Sequence, residues 1–193
     1  MDKTSLYYKR ISKRSLLHFI KGLIPRIKCY FKYQKSKKIA IRKGAKIGNN
    51  SIILKEFAKR CNKNFELGNN SSIGSYKIDL RSPVKIGNNV IISNNSEIIT
   101  TSHYIDSPEW EHKYYGIEIE DYVWIASNAL ILPSCRKIGY GAVIGAGAVV
   151  TKNVPPMSVM GGNPAQCIKM RKCVHEKLVI SSLQYFGKFL PKD

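Results

Sequence analysis

Aliphatic residues recur at a fixed interval in the C-terminal half of the chain. With a single step of seven among steps of six, they fall at Ile119, Ile125, Ile131, Ile138, Ile144 and Val150. Four residues after each of the first five comes a smaller side chain, at Val123, Ala129, Cys135, Ala142 and Ala148. An α-helix repeats about every 3.6 residues and a strand about every two, so neither produces this spacing. The pattern predicts an all-β solenoid of short strands joined by corners, in which one aliphatic side chain per repeat points inward.

The earlier part of the chain carries the same signal in another form. Gly-Asn-Asn follows an aliphatic residue at 48–50, 68–70 and 87–89. Glycine and asparagine tolerate the left-handed backbone angles that tight corners require. We therefore expect one β-helical domain over residues 44–156.

Both ends of the chain lie outside this repeat. Residues 1–43 are predicted to form a basic amphipathic helical leader, because apolar residues recur there at three- and four-residue spacing. Gly22 and Pro25 predict two short helices rather than one long one, since both residue types weaken a helix interior. Residues 157–193 are predicted to form a C-terminal extension, with a closing amphipathic helix over 173–193.

The repeat is interrupted between Ile98 and Ile119, by a loop at 99–118. The stretch 101–116 within it contains two histidines, two glutamates, one aspartate, one tryptophan and three tyrosines. This composition is too aromatic for a disordered linker, and long excursions from a regular fold usually carry function. The loop is therefore predicted to be a folded arm at the rim of a functional site.

Charge adds a prediction about the leader. The 193 residues include 32 basic and 13 acidic ones, for a net charge of +19, and residues 1–43 hold 14 of the basic residues against Asp2 alone. Such a segment is expected to meet an anionic partner. Two uses stay open and are compatible: the leader lies on an anionic inner membrane, or it caps the first turn of the coil.

Several classes of protein are disfavoured. No apolar run approaches the roughly 18 residues of a membrane span, and residues 1–4 lack the apolar region of a secretory signal. We therefore expect a cytoplasmic protein that contacts the inner membrane only peripherally, through the leader. Five cysteines without a C-x-x-C pair argue against a disulfide framework and against a zinc site, so we expect no metal and cysteines that act as small hydrophobes. Only the net charge favours nucleic-acid binding, and the sequence shows no nucleic-acid recognition module.

At this point the residues resemble a known family, the hexapeptide-repeat acyltransferases, and most of all its sugar, O-antigen and capsule O-acetyltransferase branch. The segments that carry the resemblance are IGNNV at 86–90, VWIA at 123–126, IGAGAVVTK at 144–152, VPP at 154–156 and GNPA at 162–165. The resemblance implies a left-handed parallel β-helix, a homotrimer, and an acetyl-CoA donor bound between neighbouring subunits. It also implies direct transfer of the acetyl group, without an acyl-enzyme.

His103 is the predicted catalytic residue. Acetyl transfer to a hydroxyl or an amine needs a base near neutrality, and histidine, with an ordinary pKa of about 6.5, suits that role. In the resembled family the base is a histidine just after the coil that precedes this loop, and His103 matches that position. Asp106 and Glu97 are candidates to orient the imidazole or to bind the acceptor, and Trp110 and His112 are further candidates for the acceptor site.

For the donor, the resemblance carries over to six positions. They match residues that border the thiol arm, the pantetheine chain or the phosphates of coenzyme A: Trp124, Ser127, Ala146, Thr151, Lys152 and Lys169. Gln166 departs from a position that is often basic, and Arg171 and Lys172 are expected to compensate.

Together these features predict an acetyl-CoA-dependent O-acetyltransferase acting on a sugar hydroxyl of a surface polysaccharide or its precursor. Galactoside and maltose acceptors are disfavoured, because the leader does not resemble the acceptor segment of those enzymes and Arg81-Ser82-Pro83 replaces acidic residues. Two alternatives remain. One is an N-acetyltransferase acting on an amino sugar or a drug, and the other is a non-catalytic β-helix that binds polyanions.

Overall fold

The computed structural model describes residues 16–174, which form two N-terminal helices followed by a coil of short strands. The helices are α1 (Leu16–Lys21), α2 (Leu23–Arg42) and α3 (Lys55–Ala58). The strands are β1 (Lys46–Ile47), β2 (Ile52–Ile53), β3 (Phe65–Leu67), β4 (Ser72–Ile73), β5 (Val84–Ile86), β6 (Ile91–Ile92), β7 (Glu97–Ile98), β8 (Thr101–His103), β9 (His112–Tyr114), β10 (Ile117–Ile119), β11 (Trp124–Ile125), β12 (Leu130–Ile131), β13 (Lys137–Ile138), β14 (Val143–Ile144), β15 (Val149–Val150), β16 (Ser158–Gly162) and β17 (Ala165–Met170).

The coil is a parallel β-solenoid of about six turns. Sheet A has the strand order β1-β3-β5-β10-β13, sheet B has β2-β4-β6-β11-β14-β16-β17, and sheet C has β7-β12-β15. From β5 to β15 the chain passes from A to B to C and returns to A, apart from the β8–β9 excursion, and strands of neighbouring turns pair in parallel. The predicted solenoid is therefore confirmed.

The interior is a stack of the aliphatic residues of the repeat. Ile119 lies in register with Ile138, and Ile125 with Ile144, and all four side chains are fully buried. Burying one such side chain contributes roughly 1.5–3 kcal/mol. Cys135 fills one of the small positions inside a corner, and burial raises the pKa of its thiol to about 11. It behaves there as a small hydrophobe, as predicted, whereas Cys167 and Cys173 are exposed.

The Gly-Asn-Asn corners explain why those residue types recur. A Cβ on Gly48 would lie 2.5 Å from the carbonyl carbon of Gly68 in the next turn, so only glycine fits there. The backbone N–H of Asn49 donates to Oδ1 of Asn69 (2.7 Å), which ties neighbouring turns together. Asn50 has a φ of 55°, in the left-handed region that asparagine tolerates. The glycine thus allows the close approach of two turns, the first asparagine links the turns, and the second adopts the left-handed angle of the corner.

The leader breaks where the sequence indicated, but its second helix is longer than predicted. α1 ends at Lys21 and α2 begins after Gly22, while Pro25 lies in the first turn of α2. A proline costs little in a first turn, because the N–H that it lacks has no partner inside the helix. α2 therefore continues for 20 residues, so the expectation of two short helices was wrong for the second.

The C-terminal half of α2 closes the first turn of the coil. Ser36 and Ala40 are buried against it, and the ammonium of Lys37 donates to the carbonyl of Gly48 (2.6 Å). α3 adds Phe57, whose ring meets that of Phe65 edge to face at 4.8 Å. This half of α2 therefore acts as a cap. Among the described residues no helix is long and apolar enough to cross a membrane.

Two antiparallel hairpins leave the regular coil. β8 and β9 pair within the predicted loop, so that this loop is a folded arm. β16 and β17 form the second hairpin at the C-terminal end of the coil. The closing helix predicted over 173–193 lies outside the described residues, apart from Cys173 and Val174, which are not helical.

Candidate active site

The β8–β9 hairpin is anchored to the coil by Asp79, which precedes it by one turn. The Asp79 carboxylate accepts two hydrogen bonds from the guanidinium of Arg81 (3.0 and 3.1 Å) and one from the hydroxyl of Thr101 (2.9 Å). It also accepts from the backbone N–H of Thr100 (3.3 Å). Burial alone would raise the pKa of Asp79, but these donors together hold it well below its ordinary value. Asp79 therefore stays ionised and fixes the base of the hairpin.

Cations packed on aromatic rings stiffen the hairpin further. The ammonium of Lys113 lies 5.0 Å from the ring centre of Tyr104 and 5.5 Å from that of Tyr115. The guanidinium of Arg136 lies 5.4 Å from the ring centre of Tyr115 and donates to the carbonyl of Gly116 (2.8 Å). Tyr104 and Tyr115 thus help to hold the arm in place.

The imidazole of His103 is held in one orientation by the backbone. Its Nδ1 contacts the carbonyl oxygen of Trp110 across the hairpin. A carbonyl only accepts hydrogen bonds, so in the neutral imidazole this contact places the proton on Nδ1 and the lone pair on Nε2. Trp110 has a φ of 51°, a left-handed value that bulky residues rarely adopt. Such strained backbone angles are concentrated at functional sites. The partner of Nδ1 is thus the backbone carbonyl of Trp110. A carboxylate, that of Asp106 or Glu97, was the candidate for this role.

Several of the predicted acceptor residues gather beside this imidazole. His112 lies opposite His103 in the hairpin register, with ring centres 4.5 Å apart. The Trp110 ring centre is 6.4 Å from that of His103, and its side chain is exposed, as is that of Tyr114. Asp106 lies exposed in the turn of the hairpin, whereas Glu97 lies on β7 in sheet C.

Four of the candidate donor residues fall into two groups at two different corners of the coil, whereas Trp124 and Lys169 lie on β11 and β17 of sheet B. Ser127 and Ala146 lie at corners between sheets B and C in successive turns, where the N–H of Gly147 donates to the carbonyl of Ser127 (3.1 Å). The hairpin with His103 and the pair Thr151–Lys152 lie instead at corners between sheets C and A. Within one copy of the chain, sheet C separates the two groups.

The corner between sheets B and C has a smooth outer wall. Ala146 and Gly147 are exposed, and a Cβ on Gly147 would meet nothing within 4 Å. The indole N–H of Trp124, on the adjacent strand, donates to the hydroxyl of Ser93 (3.3 Å), which fixes the ring along the wall. Such a surface suits a narrow chain lying against the coil.

The cations at the C-terminal end have unequal roles. Lys152 and Lys169 are exposed. Arg171, which was expected to compensate for Gln166, donates instead from one guanidinium nitrogen to the carbonyls of Tyr122 (3.2 Å) and Gly141 (3.0 Å). Arg171 therefore ties the end of the coil together. Within residues 16–174 no group of histidine, cysteine and acidic residues is arranged to hold a metal ion.

A groove of 780 Å³ along sheet A contains none of the predicted site residues. Two of its lining residues, Glu66 and Glu120, form cross-strand ion pairs, with Lys46 (2.7 Å) and with Lys137 (2.6 Å). Such pairs join neighbouring strands and belong to the coil. The candidate active site is accordingly at the hairpin and the corners.

The chain is similar in part to known acetyltransferases. No family model matches the chain. A putative acetyltransferase of Schizosaccharomyces pombe is 41% identical over 92 residues, which are 45% of this chain and 42% of that protein. A chloramphenicol acetyltransferase of Klebsiella aerogenes is 43% identical over 70 residues, which are 36% of this chain and 33% of that protein. The chain thus matches less than half the length of these curated relatives.

Solved structures extend the likeness to more of the fold. A hexapeptide-repeat-containing acetyltransferase from Vibrio cholerae, complexed with acetyl coenzyme A, matches with a TM-score of 0.62 and 24% identity, over 90% of this chain and 93% of that chain. A galactoside acetyltransferase in complex with coenzyme A matches with a TM-score of 0.55 and 25% identity, over 74% of this chain and 82% of that chain. The chain is thus similar in fold to hexapeptide-repeat acetyltransferases. These neighbours are left-handed β-helices, which confirms the predicted fold class.

Proposed function

We propose that the protein is an acetyl-CoA-dependent O-acetyltransferase acting on a sugar hydroxyl of a surface polysaccharide or its precursor, with His103 as general base. The observation that carries the proposal is the contact of His103 Nδ1 with the carbonyl of Trp110. In the neutral imidazole it leaves the lone pair on Nε2 of an exposed side chain, as a base for an incoming hydroxyl requires. The acetyltransferase names of the relatives support the reaction class.

The transfer needs no covalent enzyme intermediate. The acceptor hydroxyl gives its proton to Nε2 of His103 while its oxygen attacks the thioester carbon. The new C–O bond forms and the C–S bond breaks, and the imidazolium returns the proton to the departing sulfur. The products are an acetyl ester and free coenzyme A, and His103 is restored.

We place the donor between neighbouring subunits of a homotrimer. In one copy, sheet C separates Ser127 and Ala146 from His103 and Lys152. A second copy that brings its Ala146 corner against this hairpin completes the site. The proposed donor set is Trp124, Ser127, Ala146, Thr151, Lys152 and Lys169.

The acceptor is assigned to the open side of the hairpin. Trp110 and Tyr114 offer exposed aromatic faces, which pack on the apolar faces of sugars, and His112 lies beside the base. Asp106 and Glu97 are the carboxylates available to bind sugar hydroxyls. The likeness to a galactoside acetyltransferase favours a sugar acceptor in general.

His103→Ala tests the base directly. We expect the rate of coenzyme A release with a working acceptor to fall by about 10²–10⁴-fold. Because His103 is exposed, the melting temperature and the binding of acetyl-CoA should stay at wild-type values. An active variant, or one that no longer binds acetyl-CoA, contradicts the assigned role.

Mixed oligomers test the placement of the donor. His103→Ala lacks the base, and Ala146→Trp blocks the coil wall, so each variant alone should be inactive. Co-expressed copies should regain activity, since some interfaces then join an intact hairpin to an intact wall. Failure to regain activity in verified mixed oligomers would place the whole site within one subunit.

A second candidate acceptor is a drug or an amino sugar, and the match to a chloramphenicol acetyltransferase favours testing it. A panel of glycans, amino sugars and chloramphenicol separates these substrates. Mild base hydrolyses an acetyl ester and leaves an acetyl amide intact, so the product identifies O- or N-transfer. A non-catalytic polyanion-binding protein would release no coenzyme A with any of them.

We further propose that the protein works in the cytoplasm and contacts the inner membrane peripherally through its basic leader. That location places the active site near lipid-linked glycan precursors.

A further inference from the structure

The N-terminal helices carry an exposed apolar stripe. Leu17, Ile20, Ile24, Ile27 and Phe31 follow one another at three- and four-residue spacing, so they share one helix face. Their exposed fractions lie between 41% and 69%. Gly22 interrupts the helix, but its φ of −80° and ψ of −7° are themselves helical, so the stripe crosses from α1 to α2. Contiguous exposed apolar patches of this kind mark interaction sites.

The stripe does not belong to the contact that caps the coil. The capping face of α2 contains Ser36 and Ala40, which are buried. At about 100° per residue, these two positions point to the opposite side of the helix from Ile24 and Phe31. The stripe is therefore available to a partner while α2 stays packed on the coil.

The surrounding charge selects the kind of partner. Between Lys3 and Lys55 the sequence contains no aspartate or glutamate. Lys21, Lys28 and Lys35 are exposed and follow one another at seven-residue spacing along one edge of the stripe. A second copy of the helix would bring the same cations against these, and no acidic side chain on the helix offsets them. An anionic bilayer offers both an apolar boundary and negative head groups.

We propose that this stripe docks the protein on an anionic phospholipid surface, with the helix parallel to the bilayer. The five apolar side chains enter the boundary between head groups and acyl chains, and the lysines extend to the lipid phosphates. The inference deepens the proposed peripheral location and does not depend on the proposed reaction.

Sedimentation of the full chain with lipid vesicles tests the proposal. We expect binding to phosphatidylcholine vesicles that contain about one third phosphatidylglycerol, and little binding to phosphatidylcholine alone. The double variant Ile24→Ser/Phe31→Ser should bind anionic vesicles at least tenfold more weakly. The matched control is Ile41→Ser, since Ile41 is 47% exposed on α2 but lies outside the stripe.

A charge pair of variants completes the design. Lys21→Gln/Lys28→Gln should weaken vesicle binding severalfold, whereas Lys85→Gln, an exposed lysine on sheet A, should leave it unchanged. Equal binding to both vesicle types, or wild-type binding by the stripe variant, overturns the proposal. A change of oligomeric state in the stripe variant, measured by analytical ultracentrifugation, would show instead that a second copy covers the stripe. Binding of acetyl-CoA, measured on every variant, reports on the proposed reaction separately.

Discussion

The coil and the hairpin that leaves it are stabilised in contrasting ways. In the coil, neighbouring turns repeat the same contact, as when Ile125 pairs with Ile92 below it and Ile144 above. In the hairpin, each contact occurs once: Asp79 with Thr101, Lys113 between two tyrosines, and His103 on a backbone carbonyl. The repeated strand contacts make the coil a rigid support. The unrepeated contacts of the hairpin fix the orientation of one side chain, the imidazole of His103. Substitutions should therefore change stability in the coil and activity in the hairpin.

The largest loss of stability is expected in the interior of the coil. Ile125→Ala should lower the free energy of unfolding by about 2–5 kcal/mol, because Ile125 is fully buried and its loss leaves a cavity. Its counterpart in the hairpin, Ile105→Ala, should change stability by less than about 0.5 kcal/mol, because Ile105 is 75% exposed. Urea unfolding of the two variants measures both effects. Equal losses would contradict the division between coil and hairpin.

A smaller loss is expected at a corner of the coil. A Cβ on Gly68 would lie 2.6 Å from backbone atoms of Gly87, so Gly68→Ala should destabilise by about 2 kcal/mol. Gly147→Ala is the control, because its Cβ enters open space and only the φ of 69° costs energy, about 1 kcal/mol. The melting temperature of Gly68→Ala should be lower than that of Gly147→Ala. The reverse order would show that neighbouring turns of the coil do not approach each other as closely as described.

Asp79→Asn should sharpen the comparison by loosening only the hairpin. It removes the charge from five hydrogen bonds and should cost about 1–2 kcal/mol, with a larger relative loss of activity.

The same variant has a pH signature. Because the folded pKa of Asp79 lies below the ordinary value of 3.8, its stabilising contribution is full above that value and is lost as the pH falls. Wild-type stability should therefore decline more steeply than that of Asp79→Asn as the pH drops from about 5 to 2. Parallel declines would show that Asp79 does not anchor the hairpin.

The smallest effect is expected at Lys152, an exposed cation of the proposed donor site. Lys152→Gln should weaken the binding of coenzyme A only severalfold, because an exposed lysine gains little from a phosphate in water, about 0.5–1 kcal/mol. Isothermal titration calorimetry with coenzyme A measures this change. Lys85→Gln, on sheet A, is the control and should bind like the wild type. An unchanged affinity in Lys152→Gln would remove Lys152 from the donor site.

The sequence predicts the coil well because each turn repeats the same physical requirement. The six-residue period identifies the aliphatic residues of the repeat, from Ile119 to Val150, as interior. Gly-Asn-Asn marks corners whose backbone geometry requires those residue types. The position of the hairpin is also predictable, as the place where the period fails. Its internal geometry is not. Trp110 has no local preference for a φ of 51°, and its carbonyl meets His103 only once the two strands of the hairpin have paired.

Two further differences have physical causes. Asp79 gave no signal in the sequence, because a single aspartate beside an aliphatic residue looks like a solvated one until Thr101 and Arg81 fold onto it. The length of α2 was underestimated, because Pro25 was expected to end a helix and instead lies in a first turn, where it is tolerated.

The most direct test of the account is a thermal-shift titration of the full chain with acetyl-CoA, coenzyme A and ATP, on the wild type and on His103→Ala. We expect saturable stabilisation by both coenzyme A species and none by ATP, equal in the two proteins, because the proposed role of His103 concerns the acceptor and not the donor. At a ligand concentration of about 100 times Kd, binding should add about 2.7 kcal/mol of stability. The absence of any shift up to millimolar acetyl-CoA would leave the fold intact and contradict the acetyltransferase assignment.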